Sequence, residues 1–137
     1  MGNTKSIGVA YSDQDLIGSD TIYVNGVLGY STTAQGTVTQ ATSKSTAVTL
    51  NKSAGQITMN NASLATATNA TFTLNNNLVS NNDIIILTIA GGQTTPGSYN
   101  VFANSLGTGT VSITLRNISG GTLSEAIVIN FAIIHCQ

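Results

Sequence analysis

The stretch EAIVINFAIIHCQ, residues 125 to 137, decides the fold. It is the most apolar segment of a chain otherwise filled with 21 Thr, 15 Asn and 14 Ser, and it holds the only His and the only Cys, His135 and Cys136. Three readings compete: a membrane anchor, a reactive Cys–His pair, or a strand buried on both faces. The apolar run is about half of the roughly 20 residues a spanning helix needs, it lacks a basic flank, and Asn130 and its β-branched residues suit a strand. Side chains alternate faces along a strand, so a continuous apolar run predicts burial on both sides. DIIILTIA, residues 83 to 90, is a second run of the same kind.

Outward from these two segments the pattern has period two. Val48 and Leu50, Ile57 and Met59, Phe72 and Leu74 each share a face, as do Tyr99, Val101 and Ala103, and Val111, Ile113 and Leu115. β-Branched and aromatic residues fill these runs, and they pack well on a half-buried pleated surface. Turn signals rich in Gly, Asn and Asp separate them: NKSAG, NNNLVSNND, AGGQTTPG, SLGTG and NISGGTLS. About eight short strands at this spacing predict an all-β fold, an antiparallel β-sandwich of jelly-roll type. One short helix is expected in NNASLATAT, residues 60 to 68. A sandwich covers one face of each sheet, so two doubly buried strands call for a neighbouring subunit.

Charged residues make up 7% of the 137, against roughly 25% in an ordinary domain. With 41% hydrophobic residues and a net charge of −1, neither disorder nor binding to nucleic acid or anionic lipid is favoured. So little charge also defends poorly against self-association. MGNTKSIGVA lacks a basic region followed by an apolar core, so no signal peptide is expected. The sequons at Asn51, Asn61, Asn69 and Asn117 are then compositional chance.

No catalytic, cofactor or metal site emerges. His135 and Cys136 are adjacent on a strand and point to opposite faces, and no second His exists to build a triad. Three copies of His135 around a symmetry axis would be one route to a metal site. Asp13, Asp15 and Asp20 lack the remaining ligands of a calcium loop. Asp83 and Glu125 each precede a strand and read as turn or edge charges. GTGT and GGQTTPG lack the lysine of a phosphate loop.

Residues 1 to 35 break the periodicity. SDQDLIGSD carries three of the five acidic residues, and Asn25-Gly26 in TIYVNGVLGY is a hairpin signal. This segment reads as a partly extended arm, and residues 36 to 137 as the sandwich domain.

From residue 36 onward the chain resembles a β-domain of tailed-bacteriophage head decoration proteins (cement or head-fibre proteins), shared with some phage tail proteins. The resemblance lies in GTVTQATSKSTAVTLNKSAGQITMNNASL, DIIIL, GSYNV and ITLRNISGGTLSEAIVINFAIIHC. It implies a virion structural protein, assembled in the host cytoplasm, that sits as a homotrimer on the outer surface of the phage head. Its partner would be the major capsid protein, which it would cement, and it implies no catalytic residues or cofactor. The terminal arm would dock to the shell through Ile7, Val9, Tyr11, Leu16, Ile17, Ile22, Tyr23 and Val24. Ile129, Phe131 and Ile133 are the expected trimer interface. The competing function is a tail-fibre or head-fibre adhesin that binds host glycans through loops such as GGQTTPGSYN. The absence of Trp, with four Tyr and three Phe, counts against it.

Overall fold

A computed structural model describes residues 23 to 136. Ile7, Val9, Tyr11, Leu16, Ile17 and Ile22, together with Asp13, Asp15 and Asp20, lie outside the described residues. A single 3-10 turn, Thr32–Ala34, precedes eight strands: β1 (Gln35–Thr39), β2 (Val48–Thr49), β3 (Ala54–Thr58), β4 (Asn69–Asn75), β5 (Ile84–Gly91), β6 (Tyr99–Gly107), β7 (Thr110–Asn117) and β8 (Val128–Ile134). They form two four-stranded sheets, ordered β1-β3-β8-β5 and β2-β4-β7-β6. The fold is all-β, as the alternation requires, and the sheets stack as an open sandwich.

Two pairings depart from the antiparallel expectation: β1 lies parallel to β3, and β2 parallel to β4. The cause is the path of the chain. From β1 to β6 each successive strand lies in the other sheet. Strands two apart therefore share both a sheet and a direction. The alternation stops at the β6–β7 hairpin, and β7 then runs antiparallel between β4 and β6. β8 closes the first sheet in the same way, antiparallel between β3 and β5.

Between the sheets lie Ile57 and Met59 with Phe72 and Leu74, and Val111, Ile113 and Leu115 with Ile129, Phe131 and Ile133, all buried. Every same-face pair read from the alternation points into this core. The two continuous runs behave differently. Along β5 exposed and partly covered residues alternate: Ile85, Leu87 and Ile89 pack on the core, while Ile84 and Ile86 are 53% and 47% exposed. β8 alternates too, with Ile134 47% exposed. Within one chain neither strand is buried on both faces, because each sheet has only one partner sheet.

The helix expected at residues 60 to 68 does not form. Asn60 Oδ1 accepts the Ala62 amide at 2.8 Å, a local bond that competes with a helical turn. Leu64 is instead held in a bridge to Leu123 by reciprocal backbone hydrogen bonds of 2.8 and 3.1 Å. Asn25-Gly26 forms a bend, and residues 27 to 31 run without strand pairing, so no hairpin forms there. After the irregular pairing at the end of β5, Gly92 has φ +85°, and a Cβ at this position would sit 2.1 Å from the Ala126 carbonyl oxygen. Only glycine fits.

Candidate functional site

Strand parity sorts the outer face of the first sheet. Ile57 and Val38 pack inward, so Gln35 and Thr37 of β1 and Ala54 and Gln56 of β3 face outward. Asn130, Ala132 and Ile134 of β8 lie on the same outer surface, opposite Thr88, Ile86 and Ile84 of β5. No formal charge lies on this face. One end is apolar, with Ile84, Ile86, Ala132 and Ile134; toward the middle it turns into neutral hydrogen-bonding side chains.

The chain before β1 runs over the apolar end. Leu28, Gly29 and Tyr30 form a hollow with Ile134. The Tyr30 hydroxyl donates to the Ile133 carbonyl, and Gln35 Nε2 donates to the Tyr30 carbonyl at 2.8 Å. These two bonds fix the Tyr30 ring at the boundary between the apolar and polar halves. On its other side lies a groove of about 550 Å3 lined by Tyr30, Gln35, Thr37, Ala54, Gln56 and Asn130. Gln56 Nε2 donates to Asn130 Oδ1 at 3.1 Å across the β3–β8 pair. Gly36 and Gly55, with the edge of the buried Phe131 ring, complete the floor. Side chains at either would run into Leu50 at 2.9 Å, so the glycine pair lets the core rise close to the groove.

The expected site residues fall in different places. Ile129, Phe131 and Ile133 point into the chain's own core, at 0%, 3% and 0% exposure, and so are not available to a neighbouring subunit. The outward members of β8 are Asn130, Ala132 and Ile134. Tyr23 and Val24 are exposed, as a docking role needs, and Val27 and Leu28 beside them are more than 80% exposed. The sequence reading passed over Leu28 and Tyr30. Their placement beside TIYVNGV as part of one apolar segment was the available signal.

His135 and Cys136 do not hydrogen-bond to each other. His135 Nδ1 instead pairs with Asp83 Oδ2 at 3.1 Å, and the Cys136 amide donates to Asp83 Oδ1 at 3.2 Å. Asp83, its side chain only 1% exposed, also accepts the Ser80 amide at 2.8 Å. The Ser80 amide is the chief reason its carboxyl drops to about 2; burial opposes the shift, and the Ser80 hydroxyl, Cys136 amide and His135 add to it. Asp83 thus ties the end of β8 to the turn that opens β5. Among the described residues, no three His, Cys, Asp or Glu side chains cluster as a metal site would require.

A second polar cluster fills the end of the sandwich where the β1–β2, β3–β4, β5–β6 and β7–β8 loops meet. Lys44, buried, donates from Nζ to the carbonyls of Asn60 at 2.6 Å and Glu125 at 2.5 Å. Burial lowers its pKa, and the Glu125 charge partly offsets that. Glu125 accepts the Thr94 amide at 2.6 Å, and Thr94 is the main cause of its lowered pKa. Tyr99 is raised, first by burial and then by Glu125. The cluster pins these loops to one another, and within it Tyr99 Oη and Glu125 Oε2 are buried without a hydrogen-bond partner. Of the sequon asparagines, Asn117 is fully buried and donates to the carbonyls of Leu64 and Gly121 at 2.9 and 2.8 Å, which is a structural role.

No helix among the described residues is long and apolar enough to cross a membrane. No family model, curated protein or solved structure matches the chain.

Proposed function

We propose that the chain is a virion structural protein, a decoration or cement protein that binds the outer surface of a phage head as a trimer and stabilises the shell. The observation that carries this reading is the uncharged apolar surface formed by Leu28, Tyr30 and Ile134 with Ile84 and Ile86 beside them on the same sheet face. Contiguous exposed apolar area of this kind marks a surface that another molecule covers. The sequence resemblance supplies the identity of that molecule: the capsid for the arm, and a second copy for the sheet.

In this reading the trimer contact uses Ile84, Ile86 and Ile134, which face outward on β5 and β8. Residues 1 to 35 dock to the major capsid protein, with Tyr23 and Val24 as the described part of the contact. Three arms on one trimer bind with a shared effective concentration, so a weak single-arm contact suffices to hold the assembly. No step needs a catalytic group, nucleic acid or membrane.

The experiment pairs two readouts. Light scattering of the purified chain should give three times 14.0 kDa. Gold-labelled antibody against the chain should decorate phage heads in many copies. A mass of one chain would remove the trimer, and label confined to the tail would replace decoration with adhesion.

A further inference from the structure

The groove beside Tyr30 has the chemistry of a ligand site, and it is complete within one chain, so its reading does not depend on the proposed assembly. Its six principal side chains include no Lys, Arg, Asp, Glu or His. An anionic or cationic ligand would find no counter-charge there. The lining is also too polar for a lipid chain, since Gln35, Thr37, Gln56 and Asn130 all present hydrogen-bonding groups.

Those groups are held in place. Gln56 Nε2 is committed to Asn130 Oδ1, which leaves Gln56 Oε1 as an acceptor beside the Asn130 Nδ2 donor. Gln35 Nε2 is committed to the Tyr30 carbonyl, which leaves Gln35 Oε1 as a second acceptor. Thr37 adds a hydroxyl that both donates and accepts. Tyr30 is tied through its hydroxyl to Ile133, so its ring stands as a fixed wall. Ala54 keeps the floor low between them. Neutral donors and acceptors at short spacing, next to one aromatic face and a shallow floor, complement a molecule with vicinal hydroxyls and a C–H face. Because these side chains are already ordered, binding immobilises few of them.

We propose that this groove binds a neutral saccharide, with Tyr30 packing on a sugar face and Gln35, Gln56 and Asn130 hydrogen-bonding its hydroxyls.

The test is a titration of the full 15N-labelled chain with maltotriose, lactose, mannobiose and chitobiose, and with sialyllactose as the charged comparison. At least one neutral probe should shift the side-chain amide signals of Gln35, Gln56 and Asn130 in a saturable way. Gln56→Ala, which removes a hydrogen-bonding arm, and Ala54→Gln, which fills the floor, should each weaken that probe at least tenfold. Both positions face outward, and the thermal midpoint of each variant should stay within a few degrees of the parent, which separates lost binding from lost folding. Absence of saturable shifts with all four neutral probes would overturn the proposal. So would shifts that map to residues 92 to 97, tighter binding of sialyllactose, or amide signals that move with protein concentration alone, which would give the groove to a second copy of the chain.

Discussion

Replacing Ile129 and Ile134 separately by Ala tests the parity of β8, on which both the core and the outer face depend. Ile129 is fully buried, opposite Ile57 on one side and Ile89 on the other. Ile→Ala removes three carbon groups, worth about 2.4 kcal/mol at roughly 0.8 kcal/mol each. β8 is hydrogen-bonded on both edges, so its backbone cannot sink into the space left behind. A residual cavity of about 50 Å3 at roughly 24 cal/mol per Å3 adds about 1.2 kcal/mol. Ile129→Ala should therefore cost about 3.5 kcal/mol, lowering the thermal midpoint by about 14 °C. Ile134, about half exposed, loses about half the transfer energy and leaves no closed cavity, so Ile134→Ala should cost about 1 kcal/mol. Urea unfolding followed by far-UV circular dichroism, at one fixed protein concentration, measures both. Fixing the concentration matters because any self-association through Ile134 would add to the apparent stability. Equal costs, or a larger cost at Ile134, would mean that β8 is paired one residue out of register and that the two faces are exchanged.

Asp83 gives stability a dependence on acid. Its folded value of about 2 lies below the ordinary 3.8, so its contribution is complete above pH 4 and disappears as pH falls toward 2. The urea midpoint of the parent chain should drop across that window, and Asp83→Asn should show a flatter profile from a lower plateau. Lys44→Ala leaves the Asn60 and Glu125 carbonyls without their donor and should cost about 2 to 6 kcal/mol, at about 1 to 3 kcal/mol per orphaned group; a loss below about 0.5 kcal/mol would mean water replaces the ammonium freely. Gly92→Ala forces a Cβ onto the Ala126 carbonyl at positive φ, and should lower the thermal midpoint by more than 10 °C, whereas Gly120→Ala, with nothing within 4 Å, should leave it nearly unchanged. A tolerated Gly92→Ala would show that the backbone after β5 is free to move.

Period-two patterning carried the strands and the inward face of most of them, because Val48, Ile57, Phe72, Tyr99 and Ile113 each stand opposite Thr, Asn or Ser neighbours. That contrast weakens in DIIILTIA and AIVINFAII, where both faces hold apolar residues. Sequence states which residues a face carries and is silent on what covers it, so Ile84 and Ile86 read as buried, and Ile129, Phe131 and Ile133 of β8, expected at an interface, lie in the chain's own core. Strand order was equally hidden. Nothing in the residues of β1 distinguishes a parallel neighbour from an antiparallel one; the six-fold alternation between sheets sets it. The Asp83–His135 pair was out of reach for a similar reason, since a separation of 52 residues becomes a 3.1 Å contact only once β8 is seated beside β5. The groove polar groups were visible as residue types, yet Gln35, Gln56 and Asn130 come from three strands that the register alone aligns.

The positions of β7 and β8 bear on how the molecule is made. Both are central strands, and both come after all six of the others in chain order. During synthesis at about 5 to 20 residues per second, the roughly 100 residues from β1 to β8 take about 5 to 20 s to emerge. Until β8 emerges, β1 and β3 on one side and, once made, β5 on the other have no strand to join them, and their apolar faces and open edges remain available to other nascent chains. The sandwich is thus assembled from its rim inward in time, with its keystone delivered last. Exposed apolar faces and unpaired edges of this kind are where incomplete chains aggregate, so slower delivery of β8 lengthens the exposure.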